Sequence, residues 1–536
     1  MLTILPILIL MFGGVVVFLL RKLPRGEGFS WLSAIFFGLF LWGGILAYHW
    51  FPPPAFELAT WKLINPEEAD AIIFLWDDIG WVYGFSLLSV LLAVLLTAAT
   101  RLKDRSNPTT WASNLMVTAM ALPGVLSVTP LAAVLSWTAF DLIELMVGYH
   151  LSSRAINVRP AILTFSARAV GTFFLIAAMI IQQQSGIALT FDNATPTISL
   201  FLFLAVGIRV GVLPINIPLV QEKLIRRGIG TNLRLSAIAV SLSVAARLPG
   251  QVAPDGWIKV LLPLIILASI YASVMWFRAN DEIAGRRYWS IALAAIGIAS
   301  LLNGYPTTSV VWGVSAILAG SIIFLYTARS KVLLVFPALA ILQISTLPFT
   351  PGSSGWSGIL GNSGSVWNLL LVPALGLVMA GMLHHSLRKE DELKNMDSWV
   401  GFVYPVGFMF LVGAGWLIAT FSELVQLSEG VLWASLVATV IFGLIIFVAF
   451  LFVPKLSIEI NPSQLEFVVA VKKIGGLFGK VFDLGWFYRF LWFIYSRLQK
   501  VVAALTPIFE GEGGVIWAFV LLALLVTLLG GGISTK

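Results

Sequence analysis

The chain carries one apolar run after another, most close to the length of a membrane-crossing helix, with short polar segments between them. A helix that crosses the hydrocarbon core of a bilayer needs about 20 predominantly apolar residues. Runs of that kind occupy 2–20, 31–49, 79–100, 111–128, 130–150, 161–182, 197–220, 233–249, 256–277, 288–302, 309–327, 332–348, 367–385, 400–420, 431–453 and 514–530. Their continuity excludes a β-barrel, whose strands alternate apolar and polar residues. Composition excludes a water-soluble protein: the 536 residues are 59% hydrophobic and 11% charged, against about 25% charged in average soluble domains. The pattern predicts an all-α polytopic membrane protein of about sixteen transmembrane helices. The first run has neither a basic n-region nor a small-residue cleavage site, so it reads as a span and not as a signal peptide.

Loop charges test that count. Lys and Arg gather in 21–28, 101–105, 151–160, 221–234, 278–287, 329–331, 388–394 and 454–500, which together hold most of the 33 basic residues. The intervening loops are acidic or neutral: 51–78 holds Glu57, Glu67, Glu68, Asp70, Asp77 and Asp78, and 349–366 has no charge. Every second loop is therefore basic, and the positive-inside rule places those loops in the cytoplasm and both termini outside. The expected setting is the inner (plasma) membrane of a prokaryote. The formal net charge of +7 is a topology signal; scattered over loops, it is no nucleic-acid footprint. The acidic loop 51–78 could hold a divalent cation but reads more simply as a solvated loop.

The chain has no cysteine, which excludes disulfides, thiolate iron–sulfur clusters and cysteine zinc sites. His49, His150, His384 and His385 sit at the ends of apolar runs, not in facing pairs that would ligate haem. No cofactor is expected. Residues 464–505 mix apolar and basic residues: Arg489, Arg497 and Lys500 fall on one helical face, with Phe487, Phe490, Leu491, Ile494 and Leu498 toward the other and Trp486, Tyr488, Trp492 and Tyr495 of interfacial type. This describes a helix lying in the cytoplasmic interface, either a passive linker or a lateral strut against neighbouring subunits.

Charges inside spans are costly and usually functional. The fifth span holds Asp141 and Glu144, three residues apart and so on one helix face. The sixth is expected to begin with Arg168, the seventh to carry Arg209 mid-helix before Pro214, and the eighth to end with Arg247. No charged residue or His lies between Arg287 and Arg329, or between Lys331 and His384. A carboxylate and a guanidinium at membrane depth should pair, because each alone is strongly disfavoured. Arg209 is thus expected to pair with Asp141 or Glu144, either as a structural clip between helices or as part of an ion path.

These residues resemble those of the antiporter-like subunits of respiratory complex I and their relatives in multisubunit cation/proton antiporters and membrane-bound hydrogenases. In that family the seventh helix carries Lys-Ser-Ala-x-x-Pro-x-His. Here Arg209 stands at the lysine position, Pro214 five residues on, and Asn216 at the histidine position. Ser236-Ala237 followed by Arg247 is similar to the serine-alanine stretch and lysine of the family's eighth helix. Asp78-Ile79-Gly80 and Leu347-Pro348 with Gly352 resemble its third and twelfth helices. The resemblance implies a fourteen-helix antiporter-like core over 1–430, an additional transmembrane helix at 431–453, an amphipathic lateral segment on the cytoplasmic side at 454–510 and a C-terminal transmembrane helix at 511–536. It also implies an inverted repeat in the core that residue identities do not show. Implied partners are other membrane subunits, contacted through the lateral helix, and lipids; no nucleic acid is implied.

The departures bear on function. The family's central lysine gains and loses a proton, whereas arginine stays charged. The family's later helices carry further titratable groups, and here those helices read as empty. The resemblance therefore implies a membrane subunit of a complex I-like or antiporter-like assembly, such as a proton-translocating NADH–quinone oxidoreductase of a respiratory chain. Within it the chain either translocates protons or cations by an altered path or has become a scaffold. It would not be catalytic by itself. Two other classes stay open: a stand-alone secondary transporter of an ion or solute, with Asp141, Glu144 and Arg209 as its midplane site, and a membrane enzyme. The sequence has no phosphate loop, dinucleotide fingerprint or nucleophile–histidine arrangement to favour the last.

Overall fold

The computed structural model describes residues 1–452 except 24–25, 62–69, 103–107, 154–158, 185–188, 214–224, 329, 361–364 and 389–396, together with 489, 493, 496 and 497. The chain divides into two compact units, Met1–Ile460 and Asn461–Lys536. In the second unit the described residues are helical. The expected lateral segment lies outside the described residues apart from those four, and the expected last helix lies wholly outside them.

The first unit is a bundle of helices: α1 (Leu5–Leu20), α2 (Gly26–Ala47), α3 (Asp78–Thr97), α4 (Pro108–Leu126), α5 (Pro130–Ser153), α6 (Arg159–Gln183), α7 (Pro196–Val210), α8 (Arg227–Ala246), α9 (Asp255–Arg278), α10 (Glu282–Leu302), α11 (Thr308–Leu325), α12 (Val335–Ile344), the four-residue α13 (Ser357–Leu360), α14 (Leu371–Ser386), α15 (Ser398–Phe421) and α16 (Leu432–Phe452). Fifteen of the expected spans have a helix at their place. Among the described residues nine helices are long and apolar enough to cross a membrane. This is a multi-pass membrane protein.

The helices sort into an inner and an outer set. In α3, α8 and α11 nearly every residue is buried. They pack on one another and on α4, α10 and α15. A helix apolar all round belongs inside a bundle, and α8 suits that place because its run SAIAVSLSVAA is built of small residues that let neighbours approach closely. Its serines return their hydroxyls to the helix itself, as Ser241 does to the Ala237 carbonyl at 2.8 Å. The outer helices keep large apolar side chains exposed, among them Phe12 on α1, Phe36 and Phe40 on α2 and Phe173 on α6. On a water-soluble monomer such patches would be a liability; against lipid they are the expected surface.

Tryptophans tie the layers. The indole N–H groups of Trp31, Trp81, Trp137, Trp276, Trp289 and Trp312 donate across helices to the carbonyls of Leu95, Ile45, Val240, Val378, Ala316 and Gly355, at 2.8–3.1 Å. Each satisfies the one polar atom of a large apolar side chain. Glycine makes room where the ring must lie flat on a helix: a Cβ at Gly381 would sit 2.5 Å from the Trp276 ring.

Two features depart from the expectation. The acidic loop folds in part into an antiparallel hairpin, β1 (Phe56–Trp61) and β2 (Asp70–Phe74), with Phe56 opposite Phe74 and Ala59 opposite Ile72. Bonds from Leu75 N to Leu126 O and from Val128 N to Ile73 O fasten the hairpin to the end of α4. The strands FELATW and DAIIF are only six and five residues long, and they stand between much longer apolar runs. Second, α7 stops at Val210 and not near 220. Gly211 takes φ +86°, and the amides of Val212 and Leu213 turn back onto the Gly207 carbonyl, a glycine-stopped helix end.

Candidate functional site: a row of buried charges

The site grows from one face of α5. Trp137, Asp141 and Glu144 are four and three residues apart and project the same way. Three arginines come to them from three other helices. Arg209, in the last turn of α7, makes a two-pronged bond to Asp141, with Nη1 to Oδ2 at 2.6 Å and Nη2 to Oδ1 at 2.8 Å. Its guanidinium lies 4.3 Å from the Trp137 ring centroid, and Nη1 also donates to the Thr172 hydroxyl at 3.3 Å. Arg168 of α6 bonds Glu144 and stands 3.6 Å from Asp141. Arg234 of α8 bonds the other oxygen of Glu144. Along the row the charges alternate: Arg209, Asp141, Arg168, Glu144, Arg234.

All five side chains are buried, none more than 7% exposed as a residue. Charges removed from water are tolerated when paired and hydrogen-bonded, and strongly destabilising when one partner is lost. The row links α5, α6, α7 and α8. Gly171 lets it close, because a Cβ there would lie 2.6 Å from Cγ of Arg209. Beside the row is a cavity of about 40 Å³, bordered by Arg168, Arg209, Arg234 and, from α10, Arg287 and Ser290. A cavity needs about 10–15 Å³ to hold one water.

Several expectations are corrected here. Arg168 does not begin its helix; it is the tenth residue of α6. Arg209 is in a terminal turn, not mid-helix. Arg234, expected in a cytoplasmic loop, is inside α8 and completes the row. Arg168 and Arg234 lie inside their helices because α6 and α8 start at Arg159 and Arg227, whereas Arg209 is terminal because α7 stops at Gly211. Arg247 is not part of the row. Thirteen residues along α8 from Arg234, it is about 20 Å away at about 1.5 Å per residue. There it caps the helix end, donating to Asp77 at 2.6 Å and to the Ser243 carbonyl at 3.0 Å. Asp77 in turn caps α3 by accepting from Gly80 N at 2.8 Å. Pro214 and Asn216 lie outside the described residues.

A second buried group was not anticipated. The tenth helix starts at Glu282 and not at 288, so Glu282, Arg286 and Arg287 belong to it. Glu282 is 1% exposed and accepts from Arg227 of α8 at 2.6 Å. Arg286 is fully buried, 5.4 Å from the Phe324 ring centroid. His385 of α14 is fully buried against Trp276, with Nε2 3.0 Å from the Trp276 carbonyl oxygen. The later helices are therefore not empty of charge at their ends. The segment EIAGRRYW carries the signal, but the positive-inside rule weighs charges without locating helix starts.

No family model and no curated protein matches the chain by sequence. Solved structures match its fold. A chain of the membrane-bound sulfane sulfur reductase (MBS), an archaeal respiratory membrane complex, superposes with TM-score 0.65 at 14% identity, covering 98% of this chain and 99% of that one. A chain of the Mrp complex from Dietzia sp. DQ12-45-1b gives TM-score 0.66 at 13% identity, covering 100% and 67%. A chain of respiratory complex I from Thermus thermophilus gives 0.58 at 13% identity, covering 79% and 100%. The likeness extends over nearly the whole length of this chain in the first two cases, and it is a likeness of fold.

Proposed function

We propose that this chain, which has the fold of antiporter-like membrane subunits, is a membrane subunit of a multisubunit complex of the complex I, Mrp or MBS kind. We further propose that its charge row is a permanent clip and no longer a carrier of protons. The observation behind the clip is the pair of hydrogen bonds that Arg209 donates to Asp141, with Glu144 held between Arg168 and Arg234. Each carboxylate in the row is matched by arginine, which has no neutral form available near neutral pH. A path that moves a proton needs a group that lets one go. The water-sized cavity beside Arg209 supports a second reading, in which the row polarises water in an altered path.

In this proposal the basic loops face the cytoplasm of a prokaryotic cell and both termini face outside, on the strength of the alternating loop charges. Residues 454–510 tie the subunit to its neighbours. With no cysteine in the chain, cysteine-held redox centres of a host complex would belong to other subunits.

Purification of the chain from its native membrane in mild detergent, with mass spectrometry of what accompanies it, tests the first part. Redox-enzyme or antiporter subunits are expected; a chain that runs alone or only with itself would overturn the subunit assignment in favour of a stand-alone transporter. Arg209→Ala tests the second part. It should lower the amount of assembled complex more than the ion flux per assembled complex. Full assembly with abolished flux would overturn the clip and favour the altered path.

A further inference from the structure

We propose that α16 is a latch on the short helix α12. It holds the chain after α12 in a strained conformation that relaxes when α16 shifts. The first support is backbone conformation. After Ile344 the chain leaves the helix, and Thr346 and Phe349 both take φ +58°. A β-branched residue in the left-handed region is a genuine outlier. It keeps that conformation only where its surroundings over-determine it, and Thr346 is buried, 1% exposed.

The second support is what surrounds it. A seam of hydrogen bonds joins this stretch to 426–435, the connection from α15 and the first turn of α16. The hydroxyl of Ser435, fully buried on α16, donates to the Thr346 carbonyl at 2.7 Å, and the two hydroxyl oxygens lie 3.0 Å apart. The Phe349 amide donates to the Ser428 carbonyl at 2.9 Å. The Ser353 hydroxyl accepts from the Ser428 amide at 3.0 Å and donates to the Gln426 carbonyl at 3.3 Å. Gly430, at φ +61°, lets the seam close, because a Cβ there would lie 2.3 Å from the Ser353 carbonyl oxygen.

The third support is how α16 is held. One face packs on α14, and the other leaves Leu432, Leu436, Val440 and Leu444 exposed. A helix anchored on one face can shift against the bundle, and the seam passes that shift to α12. Coupling of this kind needs an element with two discrete arrangements. Here they are Thr346 left-handed and Thr346 wound into α12. The change is small and bounded: Pro348 disfavours a helical conformation at Leu347, so α12 can lengthen only as far as Thr346.

The latch does not depend on the identity of a host complex, so its test uses the full-length chain alone in detergent. Thr350, on the seam, is 5% exposed. Thr350→Cys in this cysteine-free chain should react slowly with a water-soluble maleimide. Adding Ser435→Ala should speed that reaction at least tenfold. Gly430→Ala, whose methyl group would press on the Ser353 carbonyl, should do the same from the other end of the seam. Ser269→Cys, fully buried on α9, should keep its rate in both backgrounds, which separates local release from general loosening. Phe349→Gly relieves left-handed strain at an exposed side chain. It should raise the thermal midpoint of the parent chain and raise it less once Ser435→Ala has released the segment. Unchanged labelling of Thr350→Cys in a variant that folds, equal acceleration at Ser269→Cys, or an equal gain from Phe349→Gly in both backgrounds would overturn the proposal.

Discussion

Arg209 is held by chemistry that another cation would not reproduce. Its planar fork meets both oxygens of Asp141 while its face rests on the Trp137 ring, and lysine, a point charge, would keep the charge and lose the geometry. Removing one partner of such a buried pair costs about 3–5 kcal/mol, because the survivor is left charged and unmatched, whereas replacing both by apolar residues is often close to neutral. Asp141→Leu alone should therefore lower stability by about 3–5 kcal/mol. Adding Arg209→Met should recover most of that loss in denaturant unfolding of the detergent-solubilised protein. A double variant no more stable than the worse single would mean that the pair is not the unit. The sequence disclosed Asp141, Glu144 and Arg209, because a charge in an apolar run is conspicuous. It concealed the roles of Arg168 and Arg234. Both lie two to three turns inside helices whose first residues are themselves polar or basic, so each reads equally well as the edge of a cytoplasmic loop.

The helix that carries Arg209 is positioned by where it stops. Gly211 at φ +86° turns the chain out of α7 two residues after the arginine, and a side chain in the left-handed region costs about 1–2 kcal/mol. Gly211→Ala should lose about that much stability. It should also misplace Arg209 against Asp141, so that Asp141→Leu costs less stability in the Gly211→Ala background than in the parent chain. Unchanged stability and an unchanged cost of Asp141→Leu would remove Gly211 from the account. Helix existence was legible throughout, because about twenty apolar residues in succession admit few other structures in lipid. Some helix ends were not, among them the end of α7 and the start of α8. Apolarity says how far a segment tolerates lipid, and the ends are decided by caps, glycines and partners that come from elsewhere. The hairpin at 56–74 was missed for a similar reason, since its register and its bonds to the end of α4 are long-range.

For the whole molecule, the absence of cysteine makes orientation directly measurable. Single cysteines at Glu429, in the turn between α15 and α16, and at Lys331, just after α11, occupy exposed positions. In intact cells a membrane-impermeant maleimide should label Glu429→Cys and spare Lys331→Cys, and both should react after permeabilisation. The reverse pattern would invert the proposed topology. Class, helix number and loop alternation were determined by the sequence itself, because hydrophobic length and loop charge are local quantities that act on each segment against the membrane. The tertiary structure decided which charges meet: Arg168 and Arg234 with Glu144, Arg209 with Asp141, Arg227 with Glu282, and Arg247 with Asp77 instead of with the row. Those partners lie 24 to 170 residues apart in the chain. The energy of a buried charge depends on what stands within a few ångströms of it, and only the packing of the helices fixes that.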